Sequence, residues 1–308
     1  MIKNKVSTRC LACLCWIFIF CAASLQAQQL SSTLNAIFNE HEFETKTFGP
    51  ARWIDKGDRY TTVEPSVAVS GGQDIVEYET ASGKRSILVS AAKLVTTPGG
   101  APMKIDDYAW SGDNKQLLIF TNTKKVWRVN TRGDYWVVDL SSGHLKRLGG
   151  DAPESSLMFA KFSPDGKSVA FVRANNIYVQ NLTTDQIQAV TQDGSATLIN
   201  GTTDWVTEEE LRLRDAFRWS PDSQWIAYWQ FDTSGVGQYS LINDTKEEYP
   251  AVTVYPYPQP GTTNSAVKVG VVSAQGGATK WVQLAGDPRN HYVPRMEWAK
   301  SSDQLVLE

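Results

Sequence analysis

The chain has 308 residues, 42% of them hydrophobic and 20% charged, enough to bury the core of one large domain or two smaller ones and too apolar for a disordered protein. Its formal charge of −3 offers no basic footprint for nucleic acid. Eleven each of Trp, Tyr and Phe, with abundant Val and Thr, favour strands over helices.

Residues 1–27 are the first element. "MIKNKVSTR" brings Lys3, Lys5 and Arg9 without an acid, "CLACLCWIFIFCAASL" is apolar, and "LQA" ends on the small residue Ala27. This order predicts a secretory signal peptide cut after Ala27, since the apolar run is short for a bilayer span. The chain is therefore expected to be exported, periplasmic or secreted, the alternative being a membrane anchor formed by an uncleaved leader. Cys10, Cys13, Cys15 and Cys21, all four cysteines, lie in that leader, so the mature chain excludes disulfides, thiolate nucleophiles and cysteine-ligated zinc. No cofactor or metal is expected. Cleavage lowers Lys+Arg from 30 to 27 against 33 acids, a mature charge of −6. The sequons at Asn181, Asn200 and Asn243 matter only in a eukaryotic secretory route.

Residues 28–50 read as a helical or extended lead-in, and 51–308 as repeats. "YAWSGDNKQLLIF" (108–120), "KFSPDGKSVAFV" (161–172), "RWSPDSQWIAYW" (218–229) and "EWAKSSDQLVLE" (297–308) share an aromatic, a turn and an apolar run, with a weaker copy in "RWIDKGDRYTTV" (52–63). Trp53, Trp110, Phe162, Trp219 and Trp298 mark corresponding points 57, 52, 57 and 79 residues apart, so insertions separate the units. Ser-Pro-Asp-Gly supplies a tight turn between two strands, Pro fixing φ and Gly accepting a positive one. "DYWVVDLSSGHLKRL" (134–148) and "NIYVQNLTTDQIQAV" (176–190) each add strand, polar turn, strand. One repeat thus holds roughly four antiparallel strands, the content of a propeller blade; a β-sandwich lacks such a recurring signature. The fold expected is all-β: a partial β-propeller of four-stranded antiparallel blades with a short N-terminal helix and a helical-turn insertion.

That insertion is "QDGSATLINGTTDWVTEEELRLRDAF", between the third repeat and "RWSPDSQW". Its polar first half reads as loop, and "TEEELRLR" as a short helix capped by Asp204 or Thr207. Glu208, Glu209 and Glu210 are consecutive. Such a run is ordinarily a solvated surface, but at a pocket wall two adjacent carboxylates are satisfied together by a primary ammonium, which has three donor hydrogens.

Other signals are weaker. "RGD" at Arg132 to Asp134 reads as a turn within the repeat rather than an adhesion tripeptide. "GGQD" and "TPGGAP" lack the strand-to-helix context of a phosphate cradle. "YPYPQPG" reads as a connection between blades, since proline cannot donate to a central ladder. His41, His144 and His291 have no nucleophile motif nearby and read as surface or structural residues.

"NGTTDWVTEEELRLRDAFRWSPDSQWIAYWQFD" with "YPYPQPGTTNSAVKVGVV" resembles the N-terminal propeller region of the dipeptidyl peptidase IV family of serine peptidases. "STLNAIFNEHEFETKTFGPARWIDKGDRYTTVE" resembles that family's leading helix and first blade, and "KKVWRVNTRGDYWVVDL" its Trp-Arg segment. The resemblance covers nearly everything after the leader. It implies removal of X-Pro or X-Ala dipeptides from peptides with a free N-terminus. It implies that Glu209 and Glu210 hold the amine and that Arg128 orients the first carbonyl, so that the carboxylate pair measures two residues to the scissile bond. Thr207 departs from the pattern, standing where the family has tyrosine, and is expected to loosen the packing there.

The family's Ser-Asp-His triad sits on a C-terminal α/β-hydrolase domain with Gly-x-Ser-x-Gly, which does not occur here. No catalytic residue is therefore assigned in this chain, which is expected to be a fragment whose partners are peptide substrates, that hydrolase domain and, in the assembled protein, a second copy in a homodimer. The alternative is a non-catalytic periplasmic propeller that binds proteins.

Overall fold

The computed structural model describes residues 29–45, 48–245 and 248–308. The expected signal peptide lies outside them. The chain divides into two compact units, Met1–Gly49 and Pro50–Glu308. In the first, helix α1 spans 29–38 and carries Leu30, Leu34, Ile37 and Phe38 at helical spacing, all exposed. Among the described residues no helix is long and apolar enough to cross a membrane.

The second unit is a series of antiparallel four-stranded blades in chain order. Blade one is β1 (Arg52–Ile54), β2 (Arg59–Pro65), β3 (Gln73–Glu79) and β4 (Arg85–Val89). Blade two is β5 (Asp107–Trp110), β6 (Gln116–Lys125), β7 (Asn130–Asp139) and β8 (Leu145–Arg147). Blade three is β9 (Leu157–Phe162), β10 (Ser168–Arg173), β11 (Asn176–Asn181) and β12 (Ile187–Ala189). A short β7–β9 pairing, Arg132 with Met158 and Gly133 with Leu157, joins blades two and three. Next come β13 (Leu198–Thr202) and helix α2 (Trp205–Leu211). Blade four starts with β14 (Asp215–Trp219) and β15 (Trp225–Asp232). A two-stranded ribbon, β16 (Gln238–Asn243) and β17 (Ala251–Pro256), then precedes β18 (Ala266–Ser273) and β19 (Lys280–Trp281). The hairpin β20 (Met296–Trp298) and β21 (Leu305–Leu307) follows.

Strand alternation explains why the central strands are apolar without interruption. On β6, Leu117 and Ile119 face a core shared with Ile75 and Val89 of blade one, whereas Leu118 faces Val169 and Phe171 of blade three. On β15, Ile226 and Tyr228 pack toward Ala170, Val172 and Ile177, whereas Ala227 and Trp229 pack toward Met296. Blades two, three and four are layers buried on both faces, so both phases of the period-two pattern are hydrophobic in their central strands.

The repeated aromatics staple one blade to the preceding one. Trp110 Nε1 donates to Thr61 Oγ1 at 3.0 Å, Trp219 Nε1 to the Lys161 carbonyl at 3.2 Å, and Trp298 Nε1 to the Arg218 carbonyl at 3.1 Å. Phe162, with no N–H, only packs. The turns are equally regular: Ser163 and Ser220 each donate to the aspartate two residues on at 2.6 Å, and Ser111 does so at 2.7 Å. Their fourth residues, Asn114, Gly166 and Ser223, have φ of 56°, 70° and 64°, the left-handed region that makes Gly or Asn favourable. Ser223 Oγ accepts from Asp165 N at 3.1 Å, and Ser302 Oγ from Asp222 N at 3.0 Å, linking turn to turn.

Three local readings are corrected. The first half of the insertion is not all loop: β13 pairs with the end of β15 and with β14, because Asn200 enters a buried polar network. Asn200 Nδ2 donates to Asp193 at 2.9 Å, and Gln230 Nε2 donates to Asn200 Oδ1 at 2.9 Å. That sequon is inaccessible in the folded chain, Asn200 being fully buried. "RGD" is not a turn but part of β7, where Gly133 faces Phe120 and Asp134 is buried against Arg147 at 3.1 Å. "YPYPQPG" does not connect blades: it ends β17 and leads to β18 within blade four.

Tyr228 offers a pH test of interblade burial. Its hydroxyl shares a 2.9 Å hydrogen bond with Thr279, and burial pushes its pKa up to about 12. The unfolded phenol titrates near 10, so this group's contribution to stability is present below about pH 10 and lost as pH rises toward 12. Titrating tyrosine absorbance is expected to show a late component that Tyr228→Phe removes; an unchanged titration curve would contradict the burial.

Candidate functional site

The site is built on α2, and the reason α2 exists is Asp204. Its backbone is extended, its Oδ1 accepts from Thr207 N at 3.0 Å, and its Oδ2 accepts from Ser265 Oγ at 2.6 Å. The cap is thus Asp204, not Thr207. The helix stops at Leu211 because Arg212 adopts φ 55°, which returns Leu213 N to the Thr207 carbonyl at 3.2 Å. Trp205 lies against Tyr257, ring centroids 4.4 Å apart, so the base of the ribbon buttresses the first turn. Thr207 itself is buried, and the gap beside it, lined by Leu211, Phe231 and Val293, is only about 10 Å³.

Helical geometry fans the three carboxylates about 100° apart. Glu208 is 6% exposed, the Glu209 side chain 8%, and Glu210 is exposed. Arg128, on the connection between β6 and β7, forms an ion pair through Nε with Glu209 Oε2. Its own side chain is 75% exposed. Two of the three anticipated residues, from different blades, are therefore in contact. Glu210 has no ion pair or hydrogen bond among the described residues.

Glu208 is a residue that sequence reasoning left without a role. Arg214 Nε stands 3.4 Å from Glu208 Oε1, yet that oxygen accepts no hydrogen bond, because the guanidinium N–H is not aligned with it. Burial pushes the Glu208 carboxyl up, Arg214 pulls it back, and Glu209 adds to the rise. A cavity of about 850 Å³ adjoins it, walled by Trp127, Arg132, Arg173, Asp204 and Trp205 as well as Glu208. A second, of about 510 Å³, lies among the first strands of the blades, where Lys161 pairs with Asp215 at 2.5 Å.

His144 is exposed, its backbone N–H donating to Ser142 Oγ at 3.2 Å, and His291 faces the Val267 carbonyl at 3.4 Å. Among the described residues no group of three or more His, Cys, Asp or Glu is placed to hold a metal ion.

Asp204→Ala is expected to destabilise the chain by about 1–2 kcal/mol, combining a lost cap with a buried Ser265 hydroxyl left without its acceptor. Chemical denaturation checks this, with Asp204→Asn recovering part of the loss. A cost near zero would mean that α2 is held by its neighbours alone.

Antiparallel blades that pack face to face, one of them carrying a carboxylate-bearing helix before its first strand, define a β-propeller with a charged insertion. Residues 111–308 match the dipeptidyl peptidase IV (DPP IV) N-terminal region, and the chain belongs to the dipeptidyl peptidase IV family. It is 33% identical over 214 residues to dipeptidyl aminopeptidase B of Saccharomyces cerevisiae, covering 67% of this chain and 26% of that one. It is 30% identical over 240 residues to a probable dipeptidyl-aminopeptidase B of Aspergillus fumigatus, covering 73% and 26%. The crystal structure of Porphyromonas gingivalis dipeptidyl peptidase 4 superposes with a TM-score of 0.74 at 30% identity, over 83% of this chain and 35% of that one. The chain spans about a quarter of the length of these curated relatives.

Proposed function

We propose that this chain is the N-terminal, substrate-gating propeller portion of an exported serine peptidase of this family, one that holds the free N-terminal amine of a peptide for release of X-Pro or X-Ala dipeptides. Glu209 and Glu210 receive the ammonium and Arg128 orients the first carbonyl. The nucleophile and its partners belong to an α/β-hydrolase domain beyond this region. The observation that carries the reading is the contact of Arg128 with Glu209, which brings together two segments 81 residues apart in the chain that the resemblance assigns to one site.

The chemistry is consistent. A carboxylate held away from water by burial, beside an arginine and a second carboxylate, binds an ammonium through charge-assisted hydrogen bonds stronger than neutral ones. Acetylating the amine removes both its charge and two of its donors. Calorimetric titration of the chain with Ala-Pro and with N-acetyl-Ala-Pro tests the proposal. The free amine is expected to bind at least tenfold more tightly, about 1.4 kcal/mol; equal affinities would overturn the role.

A further inference from the structure

Glu208 has no part in the reading above, yet its setting is the least ordinary of the three glutamates. It is more than nine-tenths buried, one carboxyl oxygen has no hydrogen-bond partner among the described residues, and it lines the larger cavity. Leaving a buried acceptor unbonded is destabilising, and a buried ion pair is poor support for a fold. Stability alone does not explain why a carboxyl stands there. Its ion-pair partner is Arg214, the third residue past the end of α2, whose side chain reaches back to it at 3.4 Å.

The charged side chains on α2 and its caps, with their ion-pair partners, are Asp204, Glu208, Glu209 and Glu210 against Arg128, Arg212 and Arg214. That set carries one negative charge in excess, which one ammonium balances. Without Glu208, Arg214 would lose the carboxylate that faces it on α2, and the set would be neutral before any ligand arrived. We propose that Glu208 is a positioning residue for amine recognition, holding and neutralising Arg214 so that the local negative excess stays on Glu209 and Glu210. The proposal rests on the amine-recognition reading and adds to it a third glutamate that touches no ligand.

The test uses the 308-residue chain, wild type and variants, titrated with free and N-acetylated Ala-Pro. Glu208→Gln is expected to weaken free-amine binding roughly tenfold and leave the acetylated ligand unaffected. Glu208→Gln combined with Arg214→Gln restores the net charge and is expected to bring affinity back to within roughly threefold of wild type, a recovery that a merely structural role would not produce. If Glu208→Gln alone fails to fold, the double variant, which leaves no arginine unpaired there, carries the same test. Loss of binding in the double variant, or full retention in Glu208→Gln, would overturn the proposal while wild-type discrimination still stands. A wild type that binds both ligands equally overturns the amine reading, and this inference with it.

Discussion

Glu209→Gln is expected to weaken binding of a free-amine dipeptide about a hundredfold while leaving the N-acetylated form unchanged. A hydrogen bond to a charged group is worth about 1.5–3 kcal/mol, and the upper part of that range applies because the Glu209 side chain is only 8% exposed and water cannot replace it. Glutamine keeps one acceptor oxygen but turns an amide N–H₂ toward either the incoming ammonium or Arg128, both of them donors. Arg128 loses its partner at little cost, being mostly exposed and readily solvated. Glu210→Gln should cost less, about fivefold, since water competes at an exposed carboxylate. Calorimetry on both variants checks the ranking. If the exposed glutamate proved the stronger determinant, the proposed division of the site would be wrong.

Trp229→Ala is expected to be the most damaging single change to the fold, at about 3–5 kcal/mol. The ring is fully buried on β15, packs with Phe231, Val267 and Met296, and donates through Nε1 to the Val293 carbonyl at 2.8 Å. The Arg218 guanidinium lies over it at 5.4 Å. Alanine leaves a cavity in a layer that two blades share and an unbonded carbonyl besides, so neither side can relax alone. For a unit of this size the loss corresponds to roughly 10 °C in melting temperature, measurable by calorimetry. Trp298→Phe, which removes the N–H to Arg218 and part of the ring at a half-buried position, should cost about 1–2 kcal/mol. Comparable losses for the two would imply that the staple, not the packing, holds the blades together.

Much of the fold was legible because its determinants are local. Ser163, Pro164, Asp165 and Gly166 encode their turn within four residues, and the aromatic before each turn marks the end of a blade's first strand. The misreadings share one cause. Leu198 to Thr202 is polar enough to pass for loop, and becomes a strand only because Asn200 finds Asp193, Asn176 and Gln230 across two blades. "RGD" carries turn residues, yet Gly133 is there so that Phe120 can pack against the backbone. At the site, the glutamate run and Asp204 were readable as a capped helix. Which carboxylate is buried was not, because that depends on where Arg212 turns left-handed.

By itself the chain's sequence determined the blades: hydrophobic phase, turn chemistry and a repeating aromatic act over a few residues, so their outcome is written where they occur. Only the tertiary structure decided that Arg128 meets Glu209, that Ser265 anchors the cap of α2, and that Arg214 rather than solvent faces Glu208. The first two contacts close long loops of chain and their partners are chosen by how the sheets assemble, a geometry that no local pattern encodes, while the third follows from the left-handed turn at Arg212.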